Sequence, residues 1–349
     1  MKLIPARDTC RSISPWILWL AMFYGLWALF VSSYNLWDTV AEHWPMALSM
    51  AIGSYAAGST PMGGGTVGFP VLVLLFDMPA SLGRDFSFAV QSIGMVSASI
   101  FILCRRQPLA WAMLRGALLG SLLATPLGIL FFAPLVPELW VKLSFAVIWG
   151  SFGILHLYRL REITGHDHAG DPRCPADFRV GMAFGAVAGF LAVSVTGVGI
   201  DMVIYAALVL LSRVDLKVAI PTSVVIMAFS SVVGVAVKSI SGDWQPGVFG
   251  NWLAAAPVVA LGAPLGVFVV AIIGRRPTLL VVALLCVVQF VWACYSERAT
   301  LGVSGMALAL LSVLVCLGGF EALRLLGIRR QRTRRAGVEE GAAATPVAT

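Results

Sequence analysis

Two glycine-rich segments carry the residue types best suited to binding a ligand. Residues 59–66 read STPMGGGT, and residues 194–199 read SVTGVG. Glycine allows left-handed backbone conformations and lets a ligand approach the main chain closely. A helix that restarts after such a segment offers free N–H groups and the positive end of its dipole, both of which favour an anion.

The two segments therefore predict a substrate-binding site for a small anion, in which hydroxyl groups add further donors. The predicted binding residues are Ser59, Thr60, Gly63, Gly64, Gly65, Thr66, Ser194, Thr196, Gly197 and Gly199. The alternative for such small residues is close packing between membrane helices, in the manner of GxxxG patterns.

A second pair of polar patches lies one helix later in each half of the chain. Residues 86–92 align with residues 220–223. Gln91, Thr222 and Ser223 are predicted to face the same cavity and to hydrogen-bond a polar ligand. The alternative is that the hydroxyls bond to carbonyls of their own helix.

Asp201 is the ionisable residue nearest to either glycine-rich segment, only two positions after Gly199. Ionisable groups inside apolar segments are functional candidates by default. Three roles are open for Asp201. It carries a coupling proton, repels anions from an inward vestibule, or caps the restarting helix, where a carboxylate is favoured.

No metal or cofactor is predicted. His166, Asp167, His168, Asp171 and Cys174 lie close together, but their spacing matches no zinc pattern, and the segment is interpreted as a solvated loop. The sequence contains no P-loop, nucleophile elbow or HExxH motif, so the chain is predicted not to be an enzyme.

The composition indicates the elements that must position these residues. Of 349 residues, 59% are hydrophobic and 12% are charged, whereas soluble domains are about 45–50% apolar and about 25% charged. This excludes a soluble protein and predicts an all-α polytopic membrane protein. Long apolar spans are predicted at 15–37, 85–104, 109–133, 138–158, 218–240, 249–273, 278–295 and 301–325. Regions 45–78 and 179–211 contain the glycine segments and are predicted to be broken or re-entrant helices.

Sequence markers recur in the same order in two halves. Gly63 and Gly197 are 134 residues apart, and Gln107 and Gln245 are 138 apart. An odd number of crossings in each half predicts an inverted-topology repeat, as in many secondary transporters. The predicted domains are an amino-terminal stub and anchor helix (1–44), repeat 1 (45–158), a cytoplasmic linker (159–178), repeat 2 (179–296), a terminal helix (297–326) and a basic, then Ala-rich tail (327–349).

The distribution of basic residues predicts the orientation. With both termini in the cytoplasm, most of the 24 Lys and Arg residues fall on the inner side. Those on the outside are Arg84, Lys142, Lys238 and Arg298. The positive-inside rule and contact with lipid therefore explain the net charge of +7. No nucleic-acid partner is predicted. The expected location is the inner plasma membrane, and the expected partners are the bilayer and a small anionic substrate, with a homo-oligomer left open.

The chain resembles the sulfite exporter TauE/SafE family of membrane permeases. The resemblance rests on Gly63 to Gly65 followed by Phe69 and Pro70, on the second-half echo at 196–199 and on the two-half layout, over about 45–295. It implies secondary transport of small sulfur-containing anions such as sulfite or sulfonates. We therefore expect a permease that works by alternating access. The alternatives are a passive anion channel, a membrane-embedded enzyme or a non-transporting subunit.

Overall fold

The computed structural model describes residues 6–164, 176–273 and 275–343. The segment between His166 and Cys174, which is predicted to be a solvated loop, lies outside these residues. Within them the chain is helical and contains no strand. The helices are α1 (Ala6–Ser33), α2 (Trp37–Glu42), α3 (Trp44–Ser59), α4 (Gly65–Pro70), α5 (Ala80–Cys104), α6 (Trp111–Leu127), α7 (Glu138–Thr164), α8 (Ala176–Ala188), α9 (Ser194–Thr196), α10 (Ile200–Ala206), α11 (Leu216–Ser241), α12 (Val248–Ile273), α13 (Arg275–Ser296) and α14 (Arg298–Ala343).

Short π-helical turns extend several of these helices. They cover Val71–Leu75 after α4, Gly128–Phe132 after α6, Gly189–Val193 between α8 and α9, and Ala207–Leu211 after α10. A 3₁₀ turn, Ala133–Leu135, then leads to α7. Such π turns are frequent at functional sites. Here they flank both glycine segments and lengthen the short helices α4 and α10.

The protein is an all-α polytopic membrane protein. Among the described residues, nine helical segments are long and apolar enough to cross a bilayer. Eight of them overlap the eight predicted long spans, and the ninth, 177–196, is the first part of the second predicted broken region. The predicted terminal span 301–325 belongs to α14, which changes direction at Gly302 and continues as helix to Ala343.

Polar contacts gather the helix ends at two opposite faces. On the first, face A, the Ser81 N–H near the start of α5 donates to the Glu138 carboxylate at the start of α7 (3.1 Å). Lys238, near the end of α11, lies 3.0 Å from Asp85 of α5. Helices α5 and α7 therefore begin at face A, where α11 ends.

The second face, face B, collects the opposite ends. Glu162, near the end of α7, lies 3.2 Å from Arg324 of α14 and 3.8 Å from Arg213, which precedes α11. The corresponding helices α5 and α11 thus run in opposite directions, since α5 begins at face A and α11 begins at face B. This accords with an inverted repeat, although the repeat itself stays a prediction.

The two broken regions are helical hairpins that return to the face where they start. In hairpin 1 (residues 44–75), a Cβ on Gly53 would lie 3.0 Å from Val67 Cβ, and one on Gly68 would lie 3.0 Å from Met50 Sδ, so α3 and α4 run antiparallel. In hairpin 2 (residues 176–211), Asp177 at the start accepts from Ser212 just past the end (3.2 Å). Both regions are therefore re-entrant.

Glycines bring each hairpin against a crossing helix of the other half. Cβ atoms on Gly120 of α6 and Gly181 of α8 would collide with backbone oxygens of the facing helix, Met182 O and Met113 O. Gly58 of α3 faces Ala263 O of α12 in the same way. Small residues let membrane helices approach this closely. Close packing between helices, which was the alternative interpretation of the glycine segments, is therefore found at these other glycines.

We expect Gly120→Leu to destabilise the protein because the atoms it would meet belong to backbone and cannot rotate away. Overpacking of this kind costs about 1–3 kcal/mol. The measurement is the midpoint of unfolding in detergent. Gly25→Leu is the matched control, since nothing lies within 4 Å of a Cβ at Gly25. Equal losses in the two variants would contradict the close α6–α8 contact.

Candidate functional site

Both glycine segments interrupt their helices with backbone conformations that favour glycine. After α3 the chain becomes extended at Thr60 (φ −138°, ψ 166°) and passes through Gly63 at φ +43°. The second break contains Gly197 at φ +77° and Gly199 at φ +106°. Residues with a Cβ pay roughly 1–2 kcal/mol for left-handed conformations. These positions therefore require glycine for the turn itself.

The two glycine segments, break 1 (residues 59–66) and break 2 (residues 194–199), contact each other in the buried core. A Cβ on Gly65 would collide with the side chain of Val198, which lies between the two left-handed glycines of break 2. A Cβ on Gly63 would lie 2.9 Å from Asp201 Oδ2. The predicted site residues from the two halves are thus brought together, although they are 134 positions apart in sequence.

Gln91 of α5, a predicted substrate-binding residue, lies at the contact between the breaks. Its Nε2 donates to the backbone oxygens of Gly197 (3.2 Å) and Ser87 (3.0 Å). Its Oε1 is buried, has no hydrogen-bond partner and lies against Gly63. The Gln91 side chain therefore ties α5 to break 2 and presents an acceptor to break 1.

The two carboxylate oxygens of Asp201 differ in their hydrogen bonding. Oδ1 accepts from the Met202 N–H (3.0 Å) at the start of α10, which agrees with the capping alternative. Oδ2 is buried without a hydrogen-bond partner. Among the described residues Asp201 forms no salt bridge. The coupling role predicted for Asp201 remains compatible with this free oxygen.

The hydroxyl groups of the two segments turn back to their own helices. Ser59 donates to Tyr55 O (2.8 Å) and Thr60 to Ala56 O (2.7 Å), while Thr196 donates to Ala192 O (2.9 Å). Thr66 and Ser194 donate to Met62 O and Phe190 O. In this conformation their hydrogens are not free for a ligand, so their role as substrate donors stays a prediction.

Thr222 and Ser223 make their hydrogen bonds elsewhere. The Thr222 hydroxyl accepts from the Ala110 N–H ahead of α6 (3.0 Å) and donates to Val218 O (2.6 Å). Ser223 donates to Ile220 O (2.8 Å). Of the residues in the second pair of polar patches, only Gln91 has a hydrogen bond to a glycine break. The hydroxyls of Thr222 and Ser223 donate to carbonyls of their own helix, which was the alternative interpretation.

Two side chains that the sequence analysis did not select hold break 1. Trp149 Nε1 of α7 donates to Thr66 Oγ1 (2.8 Å), and Gln289 Nε2 of α13 donates to Thr66 O (3.0 Å). The Trp149 ring also stacks on Phe145 at 4.1 Å. Gln289 is a polar residue inside an apolar span, a signal that would have identified it. Trp149 has no comparable signal, since aromatic side chains are common in such spans.

A buried ionic network lies at face A, directly beside break 2. Asp85 accepts from Arg84 Nε (2.9 Å), Lys238 Nζ (3.0 Å) and the Gln245 N–H (3.2 Å). Lys238 also bonds Asp243 Oδ2 (2.9 Å), and this hydrogen bond holds the pKa of the Asp243 carboxyl below its usual range. Both Lys238 and Asp85 are fully buried.

This network refines the predicted positions of two basic residues. Arg84 and Lys238 were assigned to the outside, and they lie within α5 and α11 near face A, where carboxylates neutralise them. A Cβ on Gly197 would lie only 2.5 Å from the carbonyl oxygen of Arg84. The network therefore joins α5 of the first half to α11 of the second and lies immediately next to break 2.

The site is closed around the breaks. Gln91 and Asp201 are each 1% exposed, and Gly64 and Gln91 line a cavity of only about 10 Å³. Such a cavity is at the lower limit for one water molecule. A larger ligand therefore requires the elements around the breaks to move.

The comparison with protein families covers both breaks and both sets of crossing helices. Residues 45–293 match the model of the sulfite exporter TauE/SafE family. The chain belongs to this family. In this TauE/SafE protein, α1 and α2 precede the matched region and α14 follows it. No curated protein and no solved structure matches the chain.

In this TauE/SafE protein, substitution of Gly63 should reduce stability more than substitution of its neighbour Gly64. We expect Gly63→Ala to lower the free energy of unfolding by at least about 1 kcal/mol, because alanine must adopt a left-handed conformation and displace Gln91. Gly64→Ala is the control, since Gly64 is right-handed (φ −67°). A Cβ there would lie 3.3 Å from the flexible end of Met50 and in ordinary contact, at 3.8 Å, with Ala57 Cβ and Gln91 Cγ. Unfolding in detergent measures both. Equal stability of the two variants would contradict the contact.

The network at face A should behave as one coupled unit. Removing one partner of a buried ion pair costs about 3–5 kcal/mol, so we expect Lys238→Met and Asp85→Asn each to be strongly destabilising. The double variant should lose clearly less than the sum, which a double-mutant cycle measures. Lys142→Met is the control, because its pair with Glu297 is partly exposed and such pairs contribute about 0–1 kcal/mol. Strict additivity would show that Asp85 and Lys238 do not interact.

Proposed function

We propose that the protein is a secondary transporter that moves a small sulfur-containing anion, such as sulfite or an organosulfonate, by alternating access. Membership of the TauE/SafE family, a family of membrane sulfite exporters, supports the transport class. The observation that carries the mechanism is the buried contact between two glycine breaks on re-entrant hairpins that start from opposite faces.

This contact is suited to a carrier because it joins the two halves at one buried place. Irregular backbone at membrane depth is tolerated where protein or a water-filled cavity satisfies it. In secondary transporters, substrates bind near such discontinuous helices, at the interface between the halves. Movement of hairpin 1 would open the contact toward face A, and movement of hairpin 2 would open it toward face B.

An anion is the ligand that the backbone N–H groups at the start of α4 favour. The first N–H groups of a helix have no partner within that helix. Here the Thr66 and Val67 N–H groups make long bonds of 3.3 Å to Gly63 O and Gly64 O, which an anion would replace once Gln91 and Val198 move away. The positive end of a helix dipole adds a modest attraction, typically 0.3–1 kcal/mol. The substrate is therefore held mainly through backbone, which suits a small oxyanion.

Charged networks at both faces are the natural barriers to opening. At face A, Asp85, Lys238 and Gln245 link α5 to α11 and to the loop before α12. At face B, Glu162 contacts Arg213 and Arg324. Asp85 and Lys238 of the face A network are fully buried, whereas the face B network is partly exposed. Each must loosen in turn for a substrate to pass from one face to the other.

Face B is the cytoplasmic side in this proposal. Arg105 and Arg106 follow α5, while Arg213 and Lys217 lie near the start of α11, and all four are at face B ends. Basic residues accumulate in cytoplasmic loops of membrane proteins. With this orientation the amino terminus of α1 is cytoplasmic too, because Trp27 near its other end bonds Leu253 O close to face A (3.1 Å).

Counterflow in proteoliposomes tests the transport proposal. Vesicles preloaded with unlabelled sulfite should transiently accumulate labelled sulfite, because a carrier exchanges one molecule for another. Sulfoacetate and other small anions form the comparison panel. Gly63→Val should abolish this exchange while the protein remains inserted, and Gly25→Val should keep it, since Gly25 has no neighbour within 4 Å of a Cβ.

The outcomes separate the remaining functions. Rapid equilibration without transient accumulation would indicate a passive channel. Absence of saturable uptake for every anion of the panel would contradict anion transport. Unchanged exchange in Gly63→Val would remove break 1 from the translocation path.

A further inference from the structure

Two fully buried acceptor oxygens without partners face the same point beside Gly63. Asp201 Oδ2 lies 2.9 Å from the position that a Cβ on Gly63 would occupy, and Gln91 Oε1 lies against that position as well. Neither oxygen has a hydrogen-bond partner. Leaving a buried acceptor unsatisfied costs about 1–3 kcal/mol. Two such acceptors at one place indicate that a positively charged or donating group belongs between them.

The orientation of both side chains is fixed by their other contacts. Gln91 Nε2 donates to Ser87 O and Gly197 O, so Oε1 must be the end that faces Gly63. Asp201 Oδ1 accepts from the Met202 N–H, so Oδ2 is the oxygen that points to break 1. Neither group can turn its free oxygen away without losing an existing hydrogen bond.

The space between them depends on both halves of the protein. Gly63 belongs to break 1 and Gln91 to α5 of the first half, whereas Asp201 begins α10 in the second half. Any side chain at position 63 would fill the space. A group bound there therefore holds hairpin 1, α5 and hairpin 2 together.

The chemistry of these two oxygens selects a proton as the bound ion. Hard metal cations require about six oxygen ligands, and no group of three or more metal-ligating side chains occurs among the described residues. A proton needs only one donor oxygen and one acceptor. We propose that Asp201 and Gln91 form a proton-binding site in which protonated Asp201 Oδ2 donates to Gln91 Oε1.

The surroundings provide Asp201 with no competing charge. The elements packed around it carry the following titratable or charged groups: Arg84 and Asp85 of α5; Glu138, Lys142, His156, Tyr158, Arg159 and Glu162 of α7; Asp177 and Arg179 of α8; and Lys217 and Lys238 of α11. Tyr205 follows one turn later on α10 and bonds His156 Nε2 (3.1 Å). Among the described residues none of these forms a salt bridge with Asp201.

This site deepens the proposed function by naming its coupling ion, and to that extent it rests on the proposed function. A negative Asp201 beside the α4 amino terminus repels an anion, whereas a protonated Asp201 does not. Proton binding therefore removes this repulsion and favours occupation by an anionic substrate. Release of the proton restores the repulsion and expels the anion, so proton and anion move together.

Infrared spectroscopy of the purified full-length protein tests the proton site without any substrate. At mildly acidic pH, wild type should show a carbonyl stretch of a protonated carboxyl that shifts to lower frequency in D₂O. Asp201→Asn should lose this band, while the exposed control Asp38→Asn should keep it. Gln91→Leu should move the band to higher frequency, because the acid loses its hydrogen-bond acceptor. Persistence of the band in Asp201→Asn, or an unshifted band in Gln91→Leu, would overturn the proposal.

Transport then tests the coupling separately. Asp201→Asn should retain sulfite counterflow but lose accumulation driven by a pH gradient, because its amide donates to Gln91 permanently. Gradient-driven accumulation at the wild-type level in Asp201→Asn would refute the coupling role. If wild type itself shows no counterflow, the proposed function fails, while the infrared result still decides whether Asp201 and Gln91 hold a proton.

Discussion

The contact between the two glycine breaks is the constraint on which the rest of the structure depends. Gly63 and Gly65 of break 1 approach Val198 and Asp201 so closely that no side chain fits between them. The approach is possible only because both hairpins turn back inside the protein. Each hairpin is pressed against a crossing helix of the other half through further glycines, as Gly58 and Gly120 illustrate. The contact also explains why polar groups from α5, α7 and α13 converge on break 1.

Much of the fold could be predicted from the sequence because its determinants are local. The length and apolarity of a span are properties of one segment, so seven of the eight predicted long spans begin and end within about five residues of the observed segments. The eighth, 301–325, belongs to α14, which continues to Ala343. The two glycine breaks could also be predicted, since clustered glycines with neighbouring Ser and Thr interrupt the apolar runs there. Whether these regions spanned or re-entered was not predictable. That depends on a contact such as Asp177 with Ser212, which joins residues on separate helices.

The site could be predicted only in part, because its chemistry depends on pairings between distant residues. Gln91 and Asp201 were selected as polar residues in apolar segments. The hydroxyls were assigned to the substrate, yet they bond to the carbonyls of their own helices, as Thr196 does to Ala192 O (2.9 Å). Arg84 and Lys238 were assigned to the outside from the topology that the distribution of basic residues predicts. Their burial depends on Asp85, whose pairing with Lys238 spans the two halves.

The central claim is that break 1 moves relative to the second half in each transport cycle. The sulfur of Met62 in break 1 lies 3.4 Å from Sγ of the native Cys286 on α13. Met62→Cys places a second thiol opposite Cys286. A short bis-thiosulfonate linker bridges the two thiols, because it forms one disulfide with each of them and releases a sulfinate each time, and mass spectrometry verifies the bridge. Counterflow of sulfoacetate, which unlike sulfite does not cleave disulfides, is then measured before bridging, after bridging and after reduction. The account predicts that the bridge stops counterflow and that reduction restores it. Counterflow at the unbridged rate in fully bridged protein would contradict it.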